Sequence, residues 1–323
     1  MAESTDKAVM DAEQWGRKLI EDLAREALKE RRAKRRWRIF FMLVFLGLIL
    51  FSVVQGLSDS AEKQVAAPHV AVVDLDGVIA DSEEAVSADH VIQGLRRAFD
   101  ADSKAVVLRI NSPGGSPVQA GMIADEMKRL RKEYPDKPLY AVIEEMGASA
   151  AYYIAAVADQ IYVDKASIVG SIGVIMNGFG AQELVDKVGL EPRIYTAGKN
   201  KAFMNPFAPV PPEQKAHVQA MLDEVHKQFI TVVKEGRGKR LKENADIFSG
   251  LFWTGERSLA LGLADGLGSV SSVARDLVGV EEVVDYTQRS QWEIWTRQFG
   301  ASVASGFWSK LEMEAAGNNL RLR

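Results

Sequence analysis

"KAVVLRINSPGGSPVQAGMIADEMKRLRKEYPDKPLYAVIEE", residues 104–145, holds two apolar runs on either side of a segment with helical spacing. The first run, Lys104–Ser112, reads as a strand that ends in Pro113, Gly114 and Gly115. Ser116 is placed to cap a helix, because its oxygen can accept from an orphan amide. Pro117 suits the first helical position, where no amide hydrogen is needed. "PLYAVIEE" then reads as a second strand. Two strands joined through a helix pair in parallel, since a parallel pair needs a long crossover.

The same alternation extends in both directions. "VAVVDLDG" and the helical "ADHVIQGLRRAFD" precede the stretch. Downstream, "QIYVD", "GSIGVI" and "EPRIYTA" read as further short strands. "PPEQKAHVQAMLDEVHKQFITVVKEGRG" is a long helix opened by prolines and stopped by glycine. "WTGERSLALGLADGLG" reads as a helix with a glycine-rich end. The fold class is therefore α/β with mainly parallel strands and both sheet faces covered.

The chain has 323 residues, a formal net charge of −4 and no cysteine. The mild charge gives no reason to expect nucleic acid, and disulfides and thiolate metal sites are excluded. One segment is unlike the rest: Ile39–Val54 is apolar apart from Ser52. With the next three residues it reaches about 19, enough to cross a bilayer. Lys29, Arg31, Arg32, Lys34, Arg35, Arg36 and Arg38 precede it, whereas its far side carries Asp59 and Glu62 against Lys63. The positive-inside bias then puts the N-terminus in the cytoplasm and the remainder outside. A cleaved signal peptide has a shorter basic region and apolar core, so an uncleaved anchor is expected. The expected organisation is a basic helical segment (1–38), a transmembrane anchor (39–57), a linker (58–68), a globular domain (69–284) and a C-terminal arm (285–323).

Three segments carry candidate chemistry. In "RINSPGGSP" the glycines permit close approach, and amides near a helix N-terminus can receive an oxyanion. In "MGASAAYYIA" Ser149 falls between a strand and a helix, at the sheet end where open α/β folds place ligands. A plain helix cap is the alternative for Ser149 at this point. It is not a G-x-S-x-G elbow, because alanines flank the serine. The four histidines, His69, His90, His217 and His226, are all distant from it in sequence. "YTAGKNKAFMNPF" supplies Lys199 and Lys201 beside Phe203, Met204, Pro206 and Phe207. An amine among apolar groups loses solvation, which favours its neutral form, and a neutral amine can activate a serine. Two solvated surface lysines are the alternative.

Taken in order, "NSPGGS", "MGASAAYYIA", "GSIGVI", "AGKNKAFMNPF" and "WTGERSLALGLADGLG" resemble the SppA family of signal peptide peptidases. The resemblance covers about residues 70–280 and implies a ClpP/crotonase-like spiral of parallel strands and helices. It implies a Ser–Lys dyad with Ser149 as nucleophile and Lys201 as base, Ser171 orienting the lysine, and backbone amides of Gly115 and Ala150 as oxyanion hole, with Gly114 supporting the turn. No cofactor and no metal are implied. The implied substrates are hydrophobic peptides, chiefly cleaved signal peptides, met on the extracytoplasmic face of the plasma (inner) membrane. The implied assembly is a homo-oligomeric ring of short single-copy chains, an octamer being one such ring, with neighbours completing sites in some members. A membrane-protein quality-control protease, a crotonase-like acyl-CoA enzyme and a non-catalytic peptide-binding scaffold are the rival readings.

Overall fold

The computed structural model describes residues 34–51, 68–82, 85–242 and 244–289. They fall into two units divided between Val65 and Ala66. In the first, residues 34–51 form helix α1. Trp37 stacks on Phe41 with 5.6 Å between ring centroids and meets Phe40 edge-on. Among the described residues no helix is long and apolar enough to cross a membrane. The expected span runs on from Phe51 to Leu57, and residues 52–57 lie outside the described residues. So do residues 1–33 of the basic segment, residues 58–67 of the linker and residues 290–323 of the arm.

The second unit is a mixed α/β body on an eight-stranded sheet. In chain order it comprises β1 (His69–Asp76), α2 (Ala88–Asp100), β2 (Ser103–Ser112), α3 (Pro117–Glu133), β3 (Leu139–Ala148) and α4 (Ala150–Ala155). Next come β4 (Gln160–Val163), β5 (Ile168–Gly170), α5 (Gln182–Lys187) and α6 (Pro212–Arg237). The last elements are β6 (Phe252–Thr254), α7 (Gly255–Leu261), β7 (Gly266–Leu267), α8 (Val270–Ser272) and β8 (Val283–Asp285). The main path is β6-β5-β3-β2-β1-β8, and among the described residues only β5 and β6 pair antiparallel. A largely parallel sheet with crossover helices fits the ClpP/crotonase-like class.

Local sequence explains the framing of the site. Ser116 caps α3 by accepting from the Gln119 amide at 3.4 Å, with Pro117 at the first helical position. Pro212 opens α6 and Gly238 ends it. Thr254 caps α7, and Gly262 stops it in the left-handed region. Apolar residues of β1, β2 and β3 bury one face under α2, α3, α4 and α6, with Phe99, Met127, Tyr152 and Val233 fully buried. Arg237 of α6, also fully buried, makes a bidentate pair with Asp265 at 2.8 Å and donates to the Gly262 carbonyl at 2.9 Å. Burial pushes the Asp265 carboxyl up, but hydrogen bonds from Arg237 and the Ile161 amide hold it below the usual carboxylate range.

β3 has two partners on one edge. Tyr140–Ile143 pair with β4, and Met146–Ala148 pair with β5. The Ser167 hydroxyl fills the fork, donating toward the carbonyls of Ile143 and Glu144 and accepting from the Asp164 amide.

Three expectations are corrected. The strand expected at "GSIGVI" occupies Ile168–Gly170 instead, and residues 171–181 have no regular structure. "EPRIYTA" forms no strand: residues 191–197 are exposed and have no pairing neighbour, and a strand is made by pairing more than by propensity. Apolar cover of both sheet faces also holds only in part. Val70, Val72, Val107 and Val142 meet Val270, Val273 and Ala274 on the second face. Toward the strands' carboxyl ends that face turns polar. Arg109 grips Asp74 at 2.7 and 2.8 Å, and Arg289 reaches the same carboxylate at 3.1 Å.

Candidate active site

Ser149 is the single residue between β3 and α4, and its φ is +52°. For a non-glycine residue this backbone region is strained and persists only where neighbours enforce it. Here they do. The Ser149 amide donates to the Gly170 carbonyl at 2.8 Å, and the Ser149 carbonyl accepts from the Tyr153 amide at 3.0 Å. Its side chain makes no capping hydrogen bond. The helix-cap alternative therefore fails: the hydroxyl is left for something other than holding α4.

The glycine turn lies against this serine. A methyl on Gly114 would sit 2.8 Å from the Ala148 oxygen, the Ala150 nitrogen and the Ser149 Cβ. A methyl on Gly115 would sit 2.1 Å from the Ile79 oxygen, at a φ of +149°. No side chain can be accommodated at either position without moving backbone. The bridge from Ile79 uses the Gly114 oxygen and the Ser116 amide, so it does not consume the Gly115 amide. Ala150 is the first residue of α4, where helical amides lack an intrahelical partner.

Gly115, Ser149 and Ala150 line one cavity of about 170 Å³. Its other walls are mainly apolar, with Tyr153, Val174, Ile175, Val225 and Phe229 among them. Tyr153 and Phe229 hold each other with ring centroids 5.3 Å apart. Burial, then the charges of Asp125 and Glu235, push the Tyr153 phenol up, so it stays neutral. The sequence reading missed these wall residues. The i, i+4 pair Val225 and Phe229 on an otherwise charged α6 was the available signal.

Ser171 stands one residue past β5, as Ser149 stands one past β3, and Ala148 pairs with Gly170. Its φ is +51°, and its amide donates to the Leu251 carbonyl at 2.8 Å. Two serines thus share one strained geometry at the ends of adjacent parallel strands.

The lysines lie in different surroundings. Lys201 is exposed, in a turn closed by its amide on the Gly198 carbonyl at 3.1 Å. It does not line the cavity at Ser149. The expected burial among apolar groups is not met in a single chain. Residues 175–180 and 190–201 are exposed throughout and place no wall around the amine. Lys199 faces Glu213 at 3.7 Å. Gln214 and His217 of α6 brace the turn. The Gln214 side chain accepts from the Met204 amide at 3.1 Å, and Phe203 meets the His217 ring edge-on. A larger, open cavity of about 440 Å³ lies there, lined by Asn200, Phe203, Glu213, Gln214 and His217. Among the described residues no cluster of side chains could hold a metal ion.

Residues 131–283 match the model of peptidase family S49. A Brucella abortus protein named Na(+)/H(+) antiporter NhaA is 45% identical over 186 residues, 57% of this chain and 25% of that one. A putative protease of Methanocaldococcus jannaschii is 34% identical over 58% of this chain and 61% of its own. A putative signal peptide peptidase SppA of Enterococcus faecium is 26% identical over 79% of this chain and 83% of its own. The chain thus spans about a quarter of the first of these relatives and 61% of the second. The family match runs from the end of α3 to β8 and includes Ser149, Ser171 and both lysines. The S49 match and the relatives named as proteases and as a signal peptide peptidase support an SppA-family peptidase.

Proposed function

We propose that this protein is a membrane-anchored serine endopeptidase that degrades hydrophobic peptides, cleaved signal peptides among them, on the extracytoplasmic side of the plasma membrane. The observation that carries the reading is the strained, uncapped Ser149 in an apolar cavity beside the Gly115 and Ala150 amides. A cavity of about 170 Å³ suits a single apolar side chain of the substrate. The apolar run from Ile39 with its basic flank supports the anchor and its orientation.

In this reading neutral Lys201 takes the Ser149 proton as the hydroxyl oxygen attacks the peptide carbonyl. The amides of Gly115 and Ala150 donate to the oxyanion, and Ser171 orients the lysine. The lysine ammonium then protonates the leaving amine, and water releases the acyl group by the reverse steps. The base must be neutral, so kcat/KM rises with pH. A flat profile between about pH 6 and 9 would count against a lysine base.

Lys201 is exposed in one chain, and so is a long apolar surface before it. Ile175, Phe179 and Tyr195 are 78%, 79% and 90% exposed. Covering them with a second copy would desolvate the amine and favour its neutral form. The active form is then a homo-oligomeric ring in which a neighbour completes each site. The test uses the detergent-solubilised protein with synthetic signal peptides. Ser149→Ala and Lys201→Ala should each lose about a thousandfold in kcat/KM or more. Cleavage by both variants at the wild-type rate would end this reading.

A further inference from the structure

Four histidines are far from Ser149 in sequence, yet the fold brings one of them next to residues that line the cavity. His226 lies on α6 between Val225 and Phe229, both of which line the cavity. Its Nε2 is 3.1 Å from the carbonyl oxygen of buried Ile172. A carbonyl oxygen can only accept, so Nε2 carries the hydrogen and the ring donates. Ile172 belongs to the turn that leaves β5, between strained Ser171 and the wall residues Gly173, Val174 and Ile175.

On its other side that turn is held by the buried Ile172 side chain and, among the described residues, by backbone hydrogen bonds. The Ser171 amide donates to Leu251, and the Gly173 amide donates back to the Ser171 carbonyl at 3.0 Å. Among the described residues, His226 to Ile172 is the one side-chain hydrogen bond joining α6 to this turn. Residues of both segments it joins, Gly173–Ile175 and Val225–Phe229, line the cavity that contains Ser149.

The geometry points to His226 as a positioning residue, resting on the peptidase reading above. It fixes the separation of the two segments and holds the Ser171 turn, and so limits the size of the apolar side chain accepted beside Ser149. It does not act as the base, because the Nε2 that faces the site's wall is committed to the Ile172 carbonyl.

The test compares wild type, His226→Ala and His226→Gln in the full-length solubilised protein, after thermal melts establish that each is folded. Glutamine can replace the donor but cannot replace a base. Substrates are peptides that differ only in Ala, Leu or Phe before the scissile bond. His226→Ala should raise KM for the Leu peptide by about tenfold and erode the preference between Leu and Phe, with His226→Gln within about twofold of wild type. Amide hydrogen exchange of residues 168–176 should quicken about fivefold in His226→Ala and stay unchanged in His226→Gln. Wild-type selectivity and exchange in His226→Ala would overturn the proposal. So would a glutamine variant as inactive as the alanine one with normal exchange, which would mark the imidazole as the base. If wild type and Ser149→Ala cleave alike, the peptidase reading falls, and the exchange measurement still decides whether His226 tethers the turn.

Discussion

Around Ser149 the backbone is fixed from three directions: by Gly170 on the neighbouring strand, by the Gly114–Gly115 turn that admits no side chain, and by the first turn of α4. Around Lys201 the turn is held by local bonds and by Gln214 and His217, while the amine itself is exposed. The first region is complete within one chain and can hold a strained residue in place. The second has a defined shape but lacks the low-polarity surroundings a lysine base requires. A site built this way separates two tasks. On the function proposed above, nucleophile and oxyanion geometry would be fixed by folding, and the environment of the base would be left to assembly.

The most decisive way to break this comparison is a mixing experiment. Ser149→Ala and Lys201→Ala chains, each inactive alone, should regain activity in mixed assemblies, because serine and lysine then come from different copies. Recovery to about a quarter of wild type is the expected ceiling for random pairing, against losses of about a thousandfold for each variant alone. No recovery, with assembly verified by light scattering, would mean both groups act within one chain.

Next in size is Gly115→Ala, which tests the rigid half alone. Its methyl would collide with the Ile79 oxygen, so the turn and its amide must move. An expected loss of about a hundredfold in kcat, with KM little changed, follows from misplacing one oxyanion donor. An unchanged kcat would remove Gly115 from the oxyanion hole.

Limited trypsin digestion sharpens the other half. In dilute, dissociated protein, cleavage after Lys199 and Lys201 should outpace cleavage after buried Arg237 by roughly tenfold or more. Assembly should suppress the early cuts, and cuts that persist at high protein concentration would argue against a covering copy.

The smallest effect concerns the packing beneath the glycine turn. On α3, Glu126 accepts from Arg129 and from Arg96 of α2 at 2.7–2.9 Å. Hydrogen bonds from the two guanidinium groups hold its carboxyl at about 2, below its ordinary 4.5. A depressed carboxyl stabilises the fold above its ordinary value, and that stability is lost as pH falls from about 4.5 toward 2. Glu126→Gln should remove roughly 1–2 kcal/mol at neutral pH, given that both arginines are largely exposed, and flatten the acid limb of a stability curve. Equal acid slopes in the two proteins would show that the trio contributes nothing.

Much of this was legible from residue order, for reasons that are local. Ser116 followed by Pro117 announces a helix start, and proline and glycine mark the two ends of α6. The motif order pointed to Ser149 and to the glycine turn beside it. What escaped depends on pairing across distance. The strand read in "PLYAVIEE" runs three residues past Glu145, to Ala148, because β5 arrives to pair with Met146, Gly147 and Ala148. "EPRIYTA" has strand composition, yet nothing pairs with it. His226 gains its position because α6 folds back over a turn 54 residues earlier.

The forked edge of β3 has a consequence for how such a site changes over time. The strand's first half is anchored in the core through β4, and the change of partner falls at Glu144 and Glu145, with Ser167 as the wedge. A substitution that shifts β4 is absorbed at the wedge before it reaches Ser149, and one that shifts β5 moves Ser149 and Ser171 together. Ser149 and Ser171 are therefore tied to each other through β5 more directly than to β4.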